Sequence, residues 1–415
     1  MEMRLTSHDD DGAARSYGAY PHFNMNTRPV IDDSAGPISL SAAFNHDASC
    51  FSVGLDTGFC VFNSDPCELR VSRDFNAGIG VTEMLGRYNF LALVGGGRKP
   101  KYSQNKVVIW DDAKQKAVIT LDFSTAVLRV RLSKSRIIVI LQNSVHVYAF
   151  SSPPSKLSVF ETADNPLGLC CLSSKLLAFP GRSNGQVQLV EMDSGNVTII
   201  PAHSTPLRAM DLSPDGQLLA TASEQGTLVR VFSTSNCVRI AELRRGVDPA
   251  FIFSISISPS STMLAVTSDK STLHIFDLPP KPSSTARQTP WSPSSRSASP
   301  AASPADDASA TNQKWGFLSK LPLLPRVFSD IYSFTSAHFE IGDDYQGGNG
   351  SLGYLPALGS LGVRPHKGLI GWVDEQTILV IGAGRDGRWE RFKIAEDQEG
   401  KRGVRRNGWK RYLGG

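Results

Sequence analysis

Several things are missing from this sequence, and each absence removes a class of function. No apolar run approaches the roughly 20 residues that a transmembrane helix requires, so any membrane contact is expected to be peripheral. Met1 to Tyr20 is charged and polar without an apolar h-region; no secretory signal is expected there, and residues 1–20 read as disordered. Gly95 to Gly97 is not followed by the Lys and Ser/Thr of a phosphate-binding loop, HExxH and GxSxG are absent, and the eight histidines lack metal-ligand spacing. No catalytic residue, metal site or cofactor is therefore expected, and the chain does not read as an enzyme. Cys50, Cys60, Cys67, Cys170, Cys171 and Cys237 show no CxxC spacing and sit among apolar residues, as free thiols of a reducing compartment do. Lys and Arg outnumber Asp and Glu by only 43 to 39, which excludes the field of a general nucleic-acid binder. Any anion site must be local.

Long helical periodicity is scarce too, while short runs rich in Val, Ile, Leu and Phe recur between Gly, Asp, Asn, Ser and Pro. That pattern predicts an all-β fold. MDLSPDGQLLATASEQGTLVRVFS from Met210 aligns with ISISPSSTMLAVTSDKSTLHIFDL from Ile255, placing Ser213 and Ser258 45 residues apart. Such a period belongs to WD-type propeller blades, each a four-stranded sheet. A weaker copy starts at Ser41, and strand clusters near Phe90–Trp110, Val127–Phe150, Gly168–Val190 and Leu369–Phe392 complete a seven-bladed β-propeller over residues 36–412. Two insertions interrupt it. Residues 279–330 open with a Ser/Pro/Ala/Thr-rich stretch that cannot bury enough apolar surface to order itself, and read as a loop in blade six; residues 343–365 are Gly-rich.

Arg244 and Arg245 close the fifth blade in the run ELRRGVD. Neighbouring side chains of an extended strand leave on opposite faces, so the two arginines are placed to serve two pockets rather than to clamp one phosphate. Beside Arg244 the fifth blade offers His203, Thr221, Ser223, Gly226, Thr227 and Arg230; beside Arg245 and Gly246 the sixth offers Thr267, Ser268, Thr272 and His274. Hydroxyl donors with a cation suit phosphate oxygens, and Arg supplies bidentate bonds. Gly246 removes a side chain where a headgroup would approach the backbone. The competing reading is that these residues only make local hydrogen bonds and that the arginines are solvated, as in a cytosolic protein-interaction scaffold without lipid binding.

The loop ends in KWGFLSKLPLLPRVFSDIYSF, where Trp315, Phe317, Leu318, Leu321, Leu323 and Leu324 crowd among Lys314, Lys320 and Arg326. Apolar side chains flanked by cations suit the headgroup boundary of an anionic bilayer, so this stretch is expected to insert. Ile331 to Phe339 resumes alternation and reads as the last strand of blade six. Lys401, Arg402, Arg405, Arg406, Lys410 and Arg411 read as a solvated basic tail.

Leu243–Gly246, LRRG, resembles the signature of the PROPPIN family, β-propellers that bind polyphosphoinositides and act in autophagy. LVGGGRKPKYSQNKVVIWDD (Leu93–Asp112), VFET (Val159–Thr162), LAFPG (Leu177–Gly181), IPAHSTPL (Ile200–Leu207) and TASEQGTLVRVF (Thr221–Phe232) resemble it as well. The form NKVVIWDD and the Leu before the arginines are similar to the branch typified by yeast homologous-with-swollen-vacuole-phenotype protein 2 and its animal relatives. The resemblance implies two sites on the rim of blades five and six for phosphatidylinositol 3-phosphate or the 3,5-bisphosphate. It also implies insertion of the blade-six loop, and a monomer attached peripherally to phagophore, endosomal and vacuolar membranes. An autophagy lipid-transfer protein or another autophagy factor is the implied protein partner. Ser271 stands where many relatives have Gly, so a tighter second pocket is expected.

Overall fold

The computed structural model describes residues 36–279, 331–342 and 366–414. Among these the chain forms 29 strands in seven sheets and no helix, a seven-bladed β-propeller. The expected loop insertion at Trp315–Leu324, the Gly-rich stretch 343–365 and residues 1–20 lie outside the described residues. Among the described residues no helix is long and apolar enough to cross a membrane.

Each blade is an antiparallel meander whose first strand lies innermost, against the first strands of neighbouring blades. Short turns make this possible, and the repeat shows how. Ser213 and Ser258 are fully buried, and the hydroxyl of each accepts the backbone N–H five residues on, from Leu218 and Met263 respectively. Gly216 and Ser261, again 45 apart, both take a left-handed backbone to close that turn.

Alternation then sorts the side chains into cores between blades. Ala241, Leu243, Val229 and Val231 pack against Ile252, Leu264, Val266 and Phe276 between blades five and six. Met263, Ala265, Leu273 and Ile275 point the other way, against Ile370, Val380 and Phe392 of blade seven. Around the axis, side chains tie inner strands to the next blade. Arg131 of blade three binds the Glu83 carboxylate of blade two at 3.0 Å and donates to the Cys170 carbonyl beside blade four. The Cys171 thiol donates to the Met210 carbonyl, Ile257 N–H to Asp211, and the Trp372 indole to the Ser256 carbonyl.

Blade seven is built wholly from C-terminal strands, so the ring closes without a shared strand. Ser39 and Gly384 exchange backbone hydrogen bonds at 3.2 and 2.8 Å, and the Trp389 indole donates to the Ser64 carbonyl at 2.8 Å. All six cysteines are free, four buried and two half-buried.

Two expectations need correction. The basic C-terminal residues from Arg402 on are not a solvated tail: Arg402–Arg411 is the outer strand of blade seven, held by buried Val404 and by ion pairs from Arg402 to Asp277, Arg406 to Glu390 and Arg411 to Asp386. Lys401 is the turn residue just before it. Ile331–Phe339 is likewise divided. Thr335–His338 is the outer strand of blade six, but Ile331–Tyr332 pairs in parallel with Leu243–Arg244 and adds a fifth strand to blade five. Alternation alone does not reveal which sheet edge a returning segment meets.

Candidate functional site

Face parity assigns the arginine pair. Ala241 and Leu243 fill the core shared with blade six, so Arg245 continues on that side, while Arg244 follows Glu242 on the side of blade four. The Arg245 N–H still pairs with the Thr227 carbonyl, which keeps the backbone extended through both residues.

On the blade-four side lie His203, Thr221, Ser223 and Arg230. The His203 ring meets the Thr221 hydroxyl at 3.1 Å, and Thr221 stands opposite Arg230 in the strand register. Burial first, and then the Arg230 guanidinium, pull the His203 pKa down to about 4, so this ring is a neutral hydrogen-bonding group at pH 7. Arg230 is already engaged: Nε donates to Glu242 at 2.8 Å and Nη1 to the Ala202 carbonyl at 2.7 Å, and Arg239 reaches the same Glu242 oxygen at 2.6 Å. Glu242 was missed in the sequence, although its place two residues before Arg244 sets it on the same face. A phosphate entering here meets a pocket whose charge is partly neutralised from within.

On the blade-six side, Ser268, Thr272 and His274 share a face with Val266 and Phe276, toward Arg245. Burial and the nearby Arg245 charge lower the His274 pKa to about 4. Thr267 is not part of this group. It is fully buried on the opposite face, where its hydroxyl donates to the Gly368 carbonyl at the approach to blade seven. Arg245 is itself 9% exposed, with Nε on the Gly226 carbonyl at 2.7 Å and Nη2 on the Asp248 carbonyl. Asp269 and Asp248 supply the nearest negative charge. The His274 Nδ1 lies 3.1 Å from the Ser333 hydroxyl, directly after the strand that pairs with Arg244. The chain returning from the blade-six loop is therefore fastened beside both pockets.

The strand register makes Arg230 and His274 equivalent, opposite Thr221 and Val266. Blade six has one residue fewer before its third strand, because Thr227 has no counterpart once the left-handed Gly226 (φ 62°) and Ser271 (φ 57°) are matched. A Cβ at Gly226 would fall 1.8 Å from the Ala250 carbonyl oxygen, so glycine is required there. Gly246 has no such need: its φ is not left-handed and nothing lies within 4 Å of an added Cβ. Gly246→Ala is accordingly expected to leave the melting temperature within about 1 °C of the parent. Ser271→Gly, which relieves a left-handed serine, is expected to stabilise by about 0.5–1 kcal/mol after the entropy cost of glycine is set against it. Differential scanning fluorimetry checks both, and a lowered melting temperature for Ser271→Gly would contradict the conformational argument.

Comparison with known proteins agrees with this architecture. The family model described as PROPPIN matches residues 39–299. SVP1-like protein 2 of Emericella nidulans is 64% identical over 80% of this chain and 99% of its own length. SVP1-like protein 2 of Neurospora crassa is 49% identical over 94% of this chain and 99% of its own. The crystal structure of Kluyveromyces marxianus Hsv2 superimposes with a TM-score of 0.68 at 22% identity, covering 91% of this chain and 99% of that one.

Proposed function

The chain belongs to the PROPPIN family, β-propellers that bind phosphoinositides in autophagy, and we propose that it attaches to membranes by holding phosphatidylinositol 3-phosphate or the 3,5-bisphosphate in two pockets on either side of Arg244–Arg245. The observation that carries this reading is the opposed placement of the two arginines, one facing blade four beside His203, Thr221, Ser223 and Arg230, the other facing blade six beside Ser268, Thr272 and His274. Each pocket joins a guanidinium to hydroxyl and imidazole donors, the set that phosphate oxygens take up. Gly246 leaves the backbone after Arg245 open to a headgroup, whereas Gly226 is closed off by Ala250 and gives its carbonyl to Arg245 Nε. Trp315, Phe317, Leu318, Leu321, Leu323 and Leu324 supply the inserting apolar surface in this proposal. Two weak sites and an inserting loop give avidity without tight binding at any one.

Once on phagophore, endosomal or vacuolar membranes, the propeller recruits autophagy factors, a lipid-transfer protein among them, through blades one to three. Selective autophagy of the nucleus is one branch this serves. Flotation with vesicles that differ only in headgroup tests the lipid assignment. Binding is expected with the 3-phosphate and 3,5-bisphosphate and not with phosphatidylinositol; equal recovery on all three would instead favour a scaffold without headgroup recognition.

A further inference from the structure

Away from the rim, the axial channel holds cations that no part of the proposed lipid attachment uses. Arg129 and Arg131 lie two apart on the inner strand of blade three, Arg129–Leu132, and so share one face. Arg131 is satisfied by Glu83 and the Cys170 carbonyl. Arg129 is not comparably satisfied: its hydrogen bond is from Nη2 to His366 Nε2 at 3.4 Å, reaching from blade three to the segment that leads into blade seven.

That contact fixes the imidazole tautomer. A guanidinium only donates, so Nε2 accepts and the ring proton sits on Nδ1. His366 Nδ1 is buried and finds no acceptor among the described residues. Burial, then Arg129 and Arg131, hold the ring neutral by lowering its pKa to about 3. The remaining Arg129 donors have no protein acceptor among the described residues, yet they are not sealed from the channel. Nearby carboxylates do not balance the charge: Glu83 is taken by Arg131, and burial pushes Asp211 up to about 7, where it is only partly ionised. Burial and the Arg131 charge together depress the Arg129 pKa to about 10. An unmatched guanidinium beside an orphaned N–H is the arrangement that an anion with several acceptor oxygens relieves.

We propose that the channel beside the Arg129–His366 contact binds a small inorganic oxyanion of the phosphate type, held by the remaining Arg129 donors and the His366 Nδ1–H, which ties blade three to the segment leading into blade seven. The rim pockets would take up the same anion, so the test uses the full chain carrying Arg244→Thr and Arg245→Thr. At constant ionic strength set with sodium chloride, phosphate is expected to raise the melting temperature saturably, by roughly 2–4 °C. Adding Arg129→Gln is expected to remove that rise. Equilibrium dialysis against radiolabelled phosphate reads occupancy directly rather than through stability: about one equivalent is expected on the folded rim-silenced chain. No bound phosphate, or a thermal response that Arg129→Gln leaves intact, overturns the proposal.

Discussion

Replacing both Arg244 and Arg245 by threonine is expected to abolish recovery of the protein with phosphatidylinositol 3-phosphate vesicles. In the proposed arrangement each arginine is the cation that its own pocket offers to a phosphate, since the Arg230 guanidinium is held by Glu242 and the Ala202 carbonyl. A charge-assisted hydrogen bond to phosphate contributes about 1.5–3 kcal/mol, so losing one arginine removes most of one site. Either single variant should then lose the benefit of two-site attachment, about a 10²-fold drop in apparent affinity, and the double variant should fall below detection. Threonine keeps the strand, being well suited to a β conformation. Arg245 also fastens the turn through the Gly226 and Asp248 carbonyls, so Arg245→Thr should lower the melting temperature slightly. Undiminished flotation of a folded double variant would end the lipid reading.

Acid should destabilise the propeller steeply between pH 6.5 and 4.5. His203 and His274 have pKa values lowered to about 4, and His366 to about 3, from an ordinary 6.5. A histidine kept neutral in the fold contributes stability that is fully present above pH 6.5 and is lost as the unfolded chain takes up the proton that the folded chain refuses. At 1.36 kcal/mol per pKa unit, each imidazole accounts for roughly 2.5 kcal/mol by pH 4.5. Asp211 works the other way. Burial raises its pKa from 3.8 to about 7, so its cost fades as pH drops, returning about 3 kcal/mol. The four groups together predict a net loss on the order of 5 kcal/mol. Urea midpoints at pH 7.5 and 4.5 measure it, and His274→Gln should recover about half of the difference. Equal midpoints at the two pH values would contradict the neutral, buried assignment of these rings.

Much of the architecture was legible because propeller blades repeat. Ser213 and Ser258 announce the 45-residue period, and both turn out to cap the same turn. The opposed faces of Arg244 and Arg245 follow from strand alternation alone. What stayed hidden has a common cause: it depends on what a residue meets from a distant part of the chain. Thr267 and Ser268 look equally available in TSDKST, yet only the parity set by Leu264 and Val266 turns Ser268 toward blade five, while Thr267 binds a carbonyl 101 positions away. The pairing of Ile331–Tyr332 with blade five and the reach of Arg129 to His366 depend on closure of the ring. The outer strand Arg402–Arg411 hides its alternation because ion pairs to Asp277, Glu390 and Asp386 do the work usually left to apolar residues.

The central claim, two headgroup pockets divided by one strand, is tested most directly by stoichiometry. Isothermal titration with short-chain, water-soluble phosphatidylinositol 3-phosphate should give about two sites per chain, about one in either single arginine variant and none in the double. A stoichiometry of one in the parent, or a value unchanged by either substitution, would contradict it.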